Sequence, residues 1–149
     1  MHINRESSPG VFALAASEFV ELRRSSSHFL VAVADGTVVG YVIAFAEDAT
    51  YDGDEFAWFR ARLARFVYVD QIAVAPAFRS RGIGATFYDE IRRIADAGRR
   101  RALACGVNLD PPNPRSMAFH ERLGFGRIGR IRTREGLEVA LLRRLLPAA

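Results

Sequence analysis

The segment Arg79-Ser80-Arg81-Gly82-Ile83-Gly84 carries the residue types of an anion cradle. It sits where an apolar strand pattern gives way to a helical one. The free N–H groups at a helix start and the positive end of its dipole attract negative charge. Two glycines allow a close backbone approach, and Arg79 and Arg81 add cationic donors. The same glycines also suit a β–α turn that packs tightly without a ligand. A dinucleotide fingerprint is excluded, because the third glycine it requires falls at Phe87.

Other groups narrow the chemistry. The chain holds 21 basic residues, all Arg, and no Lys. Schiff-base chemistry and a Walker-type phosphate lysine are therefore excluded. The all-Arg usage points to a G+C-rich bacterial genome. Cys105 is the single cysteine, which rules out an internal disulfide and a cysteine metal cluster, so no metal site is expected. Cys105 reads as a small buried hydrophobe. Five carboxylates, Glu47, Asp48, Asp52, Asp54 and Glu55, lie in one stretch. They form either a solvated charge run or an acidic rim that draws in a cation. The net charge of +4 suits a phosphorylated ligand, and the acidic stretch argues against nucleic acid.

These groups must be held by one domain, since 149 residues span residues 1–149 as a single unit. At that length folding buries roughly 68–70% of the unfolded surface. Helical periodicity runs from Gly10 to Arg23. Phe29–Ala34 and Val38–Phe45 form a hairpin around Asp35-Gly36. A short helix follows over Phe56–Arg65, then a strand over Phe66–Val74 and a helix to Ala97 stopped by Gly98. A strand over Ala102–Leu109 precedes a helix capped by Asn113 with Pro114 at its first position. Phe125–Thr133 and Leu137–Leu146 close the sheet. No apolar run reaches the roughly 18 residues of a membrane span, and no export signal opens the chain. A cytoplasmic protein without membrane attachment is expected.

The two glycine-bearing motifs together resemble those of the GNAT superfamily of acetyl-CoA-dependent N-acetyltransferases. Arg79, Gly82 and Gly84 match its Arg/Gln-x-x-Gly-x-Gly/Ala motif. Asn113, Gly124 and Phe125 match its Asn-x-x-Ala-x-x-x-Tyr and Gly-Phe pattern, with Ser116 in place of Ala and His120 in place of Tyr. The resemblance covers Phe29 to Leu146. It implies an α/β (α+β) fold with a mixed, mostly antiparallel central sheet flanked by helices, the family's fourth and fifth strands splayed. The family's first strand has no apolar counterpart before Gly10, so it is expected to be short or missing.

The resemblance implies that acetyl-CoA is the co-substrate. Its pantetheine arm would lie against Ile72, Ala73 and Val74, near which a backbone bulge would stabilise the oxyanion. Its pyrophosphate would lie on Arg79, Ser80, Arg81, Gly82, Ile83 and Gly84, and Asn108 and Asn113 would also bind the cofactor. Asp70 is the candidate base for the acceptor amine, and His120 the candidate acid for the leaving thiolate. The Arg99-Arg100-Arg101 cluster suits the negative end of the preceding helix, or the 3′-phosphate of coenzyme A. The expected acceptor is a primary amine of a small molecule. A protein amino terminus or lysine, and a non-catalytic acyl-CoA sensor, are the alternatives. A homodimer is compatible with the sequence.

Overall fold

The computed structural model describes Arg24 and residues 26–147. The helix expected over Gly10–Arg23 and the shortened first strand lie outside the described residues. Strands β1 (His28–Ala34) and β2 (Thr37–Ala46) form a hairpin. Its two-residue turn, Asp35-Gly36, has positive φ at both positions, as a primed turn requires. Helix α1 (Asp54–Arg60) leads to β3 (Val67–Val74). A single 3-10 turn, Pro76–Phe78, joins β3 to α2 (Ile83–Ala97). Then come β4 (Ala102–Asp110), α3 (Pro114–Arg122), β5 (Gly126–Arg132) and β6 (Glu138–Leu145).

Helix α1 starts two residues earlier than the sequence pattern indicates and ends five earlier. Asp54 and Glu55 fill its first turn, where carboxylates suit the dipole. Its last turn closes when Arg62 and Leu63 bond back to Phe59.

Among the described residues, six strands form one sheet in the order β1-β2-β3-β4-β6-β5. Every neighbouring pair is antiparallel except β3 with β4. That parallel pair is joined by α2, as parallel strands require a crossover. It has three rungs only: Val67 with Leu103, Tyr68 with Ala104 and Val69 with Cys105. Beyond Val69, β3 stays with β2; beyond Cys105, β4 stays with β6. The sheet therefore opens into a V between the two strands, as the expected splay describes.

Both faces are covered, which explains why β2 is apolar throughout. One face carries Tyr41, Phe45, Tyr68 and α1 residues Phe56 and Phe59. The other carries Val42, Leu103, Phe125 and α2 residues Phe87, Tyr88 and Ile91. Burying a side chain such as Phe56 contributes about 1.5–3 kcal/mol. Helix α1 is also pinned by Trp58. A Cβ on Gly129 of β5 would stand 2.5 Å from the Trp58 ring, so only glycine lets the ring lie there. The Arg62 guanidinium covers the ring at 4.0 Å from its centroid.

Candidate active site

The V has three lips: the start of α2, the edge of β3, and α1. At the first, Gly82 caps α2 in a left-handed conformation with φ +82. A Cβ there would meet nothing within 4 Å, so the position opens away from the rest of the fold. Arg79 Nε donates to the Val74 carbonyl at 3.1 Å, tying the turn to the end of β3. Arg81 and Ser80 are exposed, and Arg81 stacks on Phe78. Gly84 has a different constraint: a Cβ would lie 2.9 Å from Phe119 of α3. Gly82 thus stands at the surface of the turn, while Gly84 lets α2 and α3 meet.

Asn113 caps α3, its Oδ1 accepting from the Ser116 amide at 3.2 Å. Its own N–H donates to the Asn108 carbonyl, so these two residues bracket the open end of β4. Ile72, Ala73 and Val74 pair with β2 on one side and border the V on the other.

His120 is buried on α3. Its Nδ1 donates to the Ser116 carbonyl at 2.8 Å, leaving Nε2 to accept from the Tyr88 hydroxyl at 2.7 Å. Burial holds its pKa below the usual histidine range, so the ring is neutral. Tyr88 also contacts the Cys105 thiol, beside the last β3–β4 rung. Burial pushes that thiol well above its usual range. The residue in the register of the family's Tyr therefore faces a tyrosine supplied by α2.

Asp70 sits at a β-bulge. Ile43 pairs with Gln71 and Ala44 with Val69, so Asp70 is the extra residue. The bulge falls at Asp70 itself, upstream of the Ile72–Ala73 position that the family resemblance implies. It turns Asp70 and Gln71 toward the α1 face, where Tyr51 Oη donates to Asp70 Oδ1 at 3.0 Å and Tyr41 Oη to Gln71 Oε1 at 3.0 Å. Burial raises the Asp70 carboxyl to about 6, against the hydrogen bond from Tyr51 that lowers it.

Sequence reasoning did not single out Glu55 from its acidic run. Tyr68 Oη donates to Glu55 Oε2 at 3.2 Å. Burial, then the nearby Asp70 charge, lifts Glu55 to about 7. The signal in the sequence was its place beside Phe56, at the start of an amphipathic helix. The other acids of the run divide by partner. Glu47 forms a two-pronged pair with Arg100, at 2.9 and 2.8 Å. Arg100 is thereby committed to a structural bridge. Asp54 is clamped by Arg134 through its backbone N–H, Nε and Nη2, the last at 2.9 Å. Beside the Asp54–Arg134 clamp lies a pocket of about 150 Å³ lined by Tyr51, Asp52, Asp54, Glu55, Arg134 and Glu135.

Arg130 and Arg132 pair with Glu138 on the exposed side of β5. Among the described residues no group of three His, Cys, Asp or Glu side chains is placed to hold a metal ion. No described helix is long and apolar enough to cross a membrane.

Comparison with solved structures places this architecture. Naa20 of Chaetomium thermophilum, in complex with a bisubstrate analogue, superposes with a TM-score of 0.76 at 16% identity, over 98% of this chain and 82% of that one. The ribosomal-protein-S18-alanine N-acetyltransferase of Escherichia coli gives 0.69 at 16% identity, over 99% and 86%. Nourseothricin acetyltransferase gives 0.62 at 22% identity, over 80% and 65%. These likenesses show a shared fold. A search of curated proteins found no match. The profile of the Acetyltransferase (GNAT) family matches residues 3–125, a span that contains both the α2 cradle and α3. The chain is a member of the GNAT acetyltransferase family.

Proposed function

We propose that this chain transfers the acetyl group of acetyl-CoA to the primary amine of a small cationic molecule. One observation carries the choice of acceptor: an acidic pocket opens beside two half-buried carboxylates, Asp70 and Glu55, next to the closed end of the V. A cation entering it exchanges water for carboxylates in a low-dielectric wall, which favours its capture.

In this reading the pyrophosphate of the co-substrate rests on residues 79–84 and its arm runs along Ile72–Val74, between Asn108 and the α2 turn. Strand-like pairing holds the arm at one depth and brings the thioester to the V apex. Backbone N–H groups at the Asp70 bulge stabilise the oxyanion. Asp70 takes the ammonium proton. The thiolate takes its proton from the Tyr88–His120 pair, in which Tyr88 holds the proton and His120 orients it.

The test is thiol release from acetyl-CoA with a diamine series, neutral aromatic amines and an alanine-ended peptide. The diamines should give the highest kcat/KM. Preference for the peptide would transfer the reading to protein amino termini, the acceptor class of the E. coli neighbour. Tight acetyl-CoA binding without release to any amine would make the chain a binding module.

A further inference from the structure

The last β3–β4 rung joins Val69 to Cys105. The first residues beyond it are Asp70 on β3 and Gly106 on β4. Gly106 lacks the Cβ that would stand 3.3 Å from Glu55 Cγ. Helix α1 therefore lowers Glu55 directly onto β4, opposite Asp70 across the apex. Tyr68, fully buried on β3, donates its hydroxyl to Glu55 Oε2 at 3.2 Å, and Asp70 follows it two residues on, accepting from Tyr51 at 3.0 Å. A phenol has one proton to donate. Tyr68 spends it on Glu55, so nothing from Tyr68 offsets the repulsion between Glu55 and Asp70 when both are ionised. Two acids and one phenol thus hold together best with one proton shared between the acids.

We propose that Glu55 and Asp70, facing each other beside Tyr68, act as a single proton-accepting unit, with Glu55 the member that faces the acceptor pocket. This rests on the acetyltransferase reading. The ammonium gives one proton to the pair, which passes it to solvent. The neutral nitrogen then adds to the thioester carbon, and the tetrahedral oxyanion collapses as the carbon–sulfur bond breaks. The second nitrogen proton is lost as the amide forms, and the thiolate is protonated in turn, giving amide, thiol and one net proton. The groups facing the pair are Tyr51 and Asp52 from the loop, Asp54 on α1, Gln71 on β3, and Arg134 and Glu135 from the β5–β6 turn. Like charges that interact this closely titrate as a pair.

The experiment has two arms on the intact chain. Carboxyl carbon NMR titrations follow wild type, Glu55→Gln, Asp70→Asn and Tyr68→Phe, with thermal scans confirming folding. Glu55→Gln should lower the Asp70 midpoint by about one pH unit or more, and Asp70→Asn should lower that of Glu55 similarly. The second arm measures kcat/KM for 1,4-diaminobutane against pH, with coenzyme A affinity by calorimetry. Each single variant should lose about 10²–10⁴-fold, the double variant little more, and coenzyme A affinity should hold. An unmoved Asp70 midpoint in Glu55→Gln, or a full wild-type rate and pH profile in that variant, overturns the proposal. If wild type releases no thiol with any amine, the acetyltransferase reading fails, and the base role with it. If wild type turns over amines while the two carboxyls titrate independently, the paired-acid proposal is overturned and the acetyltransferase reading stands.

Discussion

Glu55 and His120 pull stability in opposite directions with pH. The Glu55 carboxyl moves from 4.5 to about 7 on folding, so the folded state binds the proton more tightly. Between those values stability falls as pH rises. Glu55→Gln removes this cost. Its melting temperature should exceed that of wild type at pH 8, by about 2–4 °C per kcal/mol, and match it near pH 4.5. The folded value of His120 lies below 6.5, so its contribution is present above pH 6.5 and lost as pH falls below it. Thermal scans from pH 4.5 to 9 check both signs. A second expectation concerns the thiolate. Tyr88→Phe keeps the ring and removes the proton, so kcat should fall about 10²-fold with the acetyl-CoA KM nearly constant. His120→Phe should do the same if His120 acts through Tyr88. Full kcat in both variants would make the pair a packing contact.

Elements decide which glycine does which work. Gly84→Val drives a side chain into Phe119, and overpacking of this kind costs about 1–3 kcal/mol. Gly82→Val meets no neighbour but is strained at φ +82 and covers the face of the turn. Calorimetry with coenzyme A should show a loss of about tenfold or more for Gly82→Val in a protein that still melts cooperatively. For Gly84→Val the melting temperature should fall first. The cradle and α3 were legible in the sequence because glycine, proline and Asn113 act locally, within a turn of where they sit. The V followed from the family's strand order. The bulge at Asp70 was not legible at its residue, because a one-residue slip against β2 leaves no mark in β3's own composition. Glu55 was hidden for a similar reason. Its burial comes from β3 and β4, and its one mark within the acidic run, the place beside Phe56, does not say which strands will cover it.

At the scale of the molecule, the V is a sheet with an unfilled strand position. A co-substrate arm that completes it should protect the Ile72–Val74 amides from hydrogen exchange and leave β5 and β6 unchanged. At a hundredfold excess over Kd, coenzyme A should add about 2.7 kcal/mol to stability. Equal protection everywhere would mean binding outside the V. The same architecture gives the protein an optical gauge. Its single tryptophan, Trp58, lies between Gly129 of β5 and the Arg62 guanidinium, with the Phe59 ring at its edge, on the helix that also carries Glu55. Any lifting of α1 to admit an acceptor must separate the indole from that glycine and wet it. Its emission would then move to longer wavelength, so stopped-flow fluorescence of the unlabelled chain reads the opening of the acceptor side in real time.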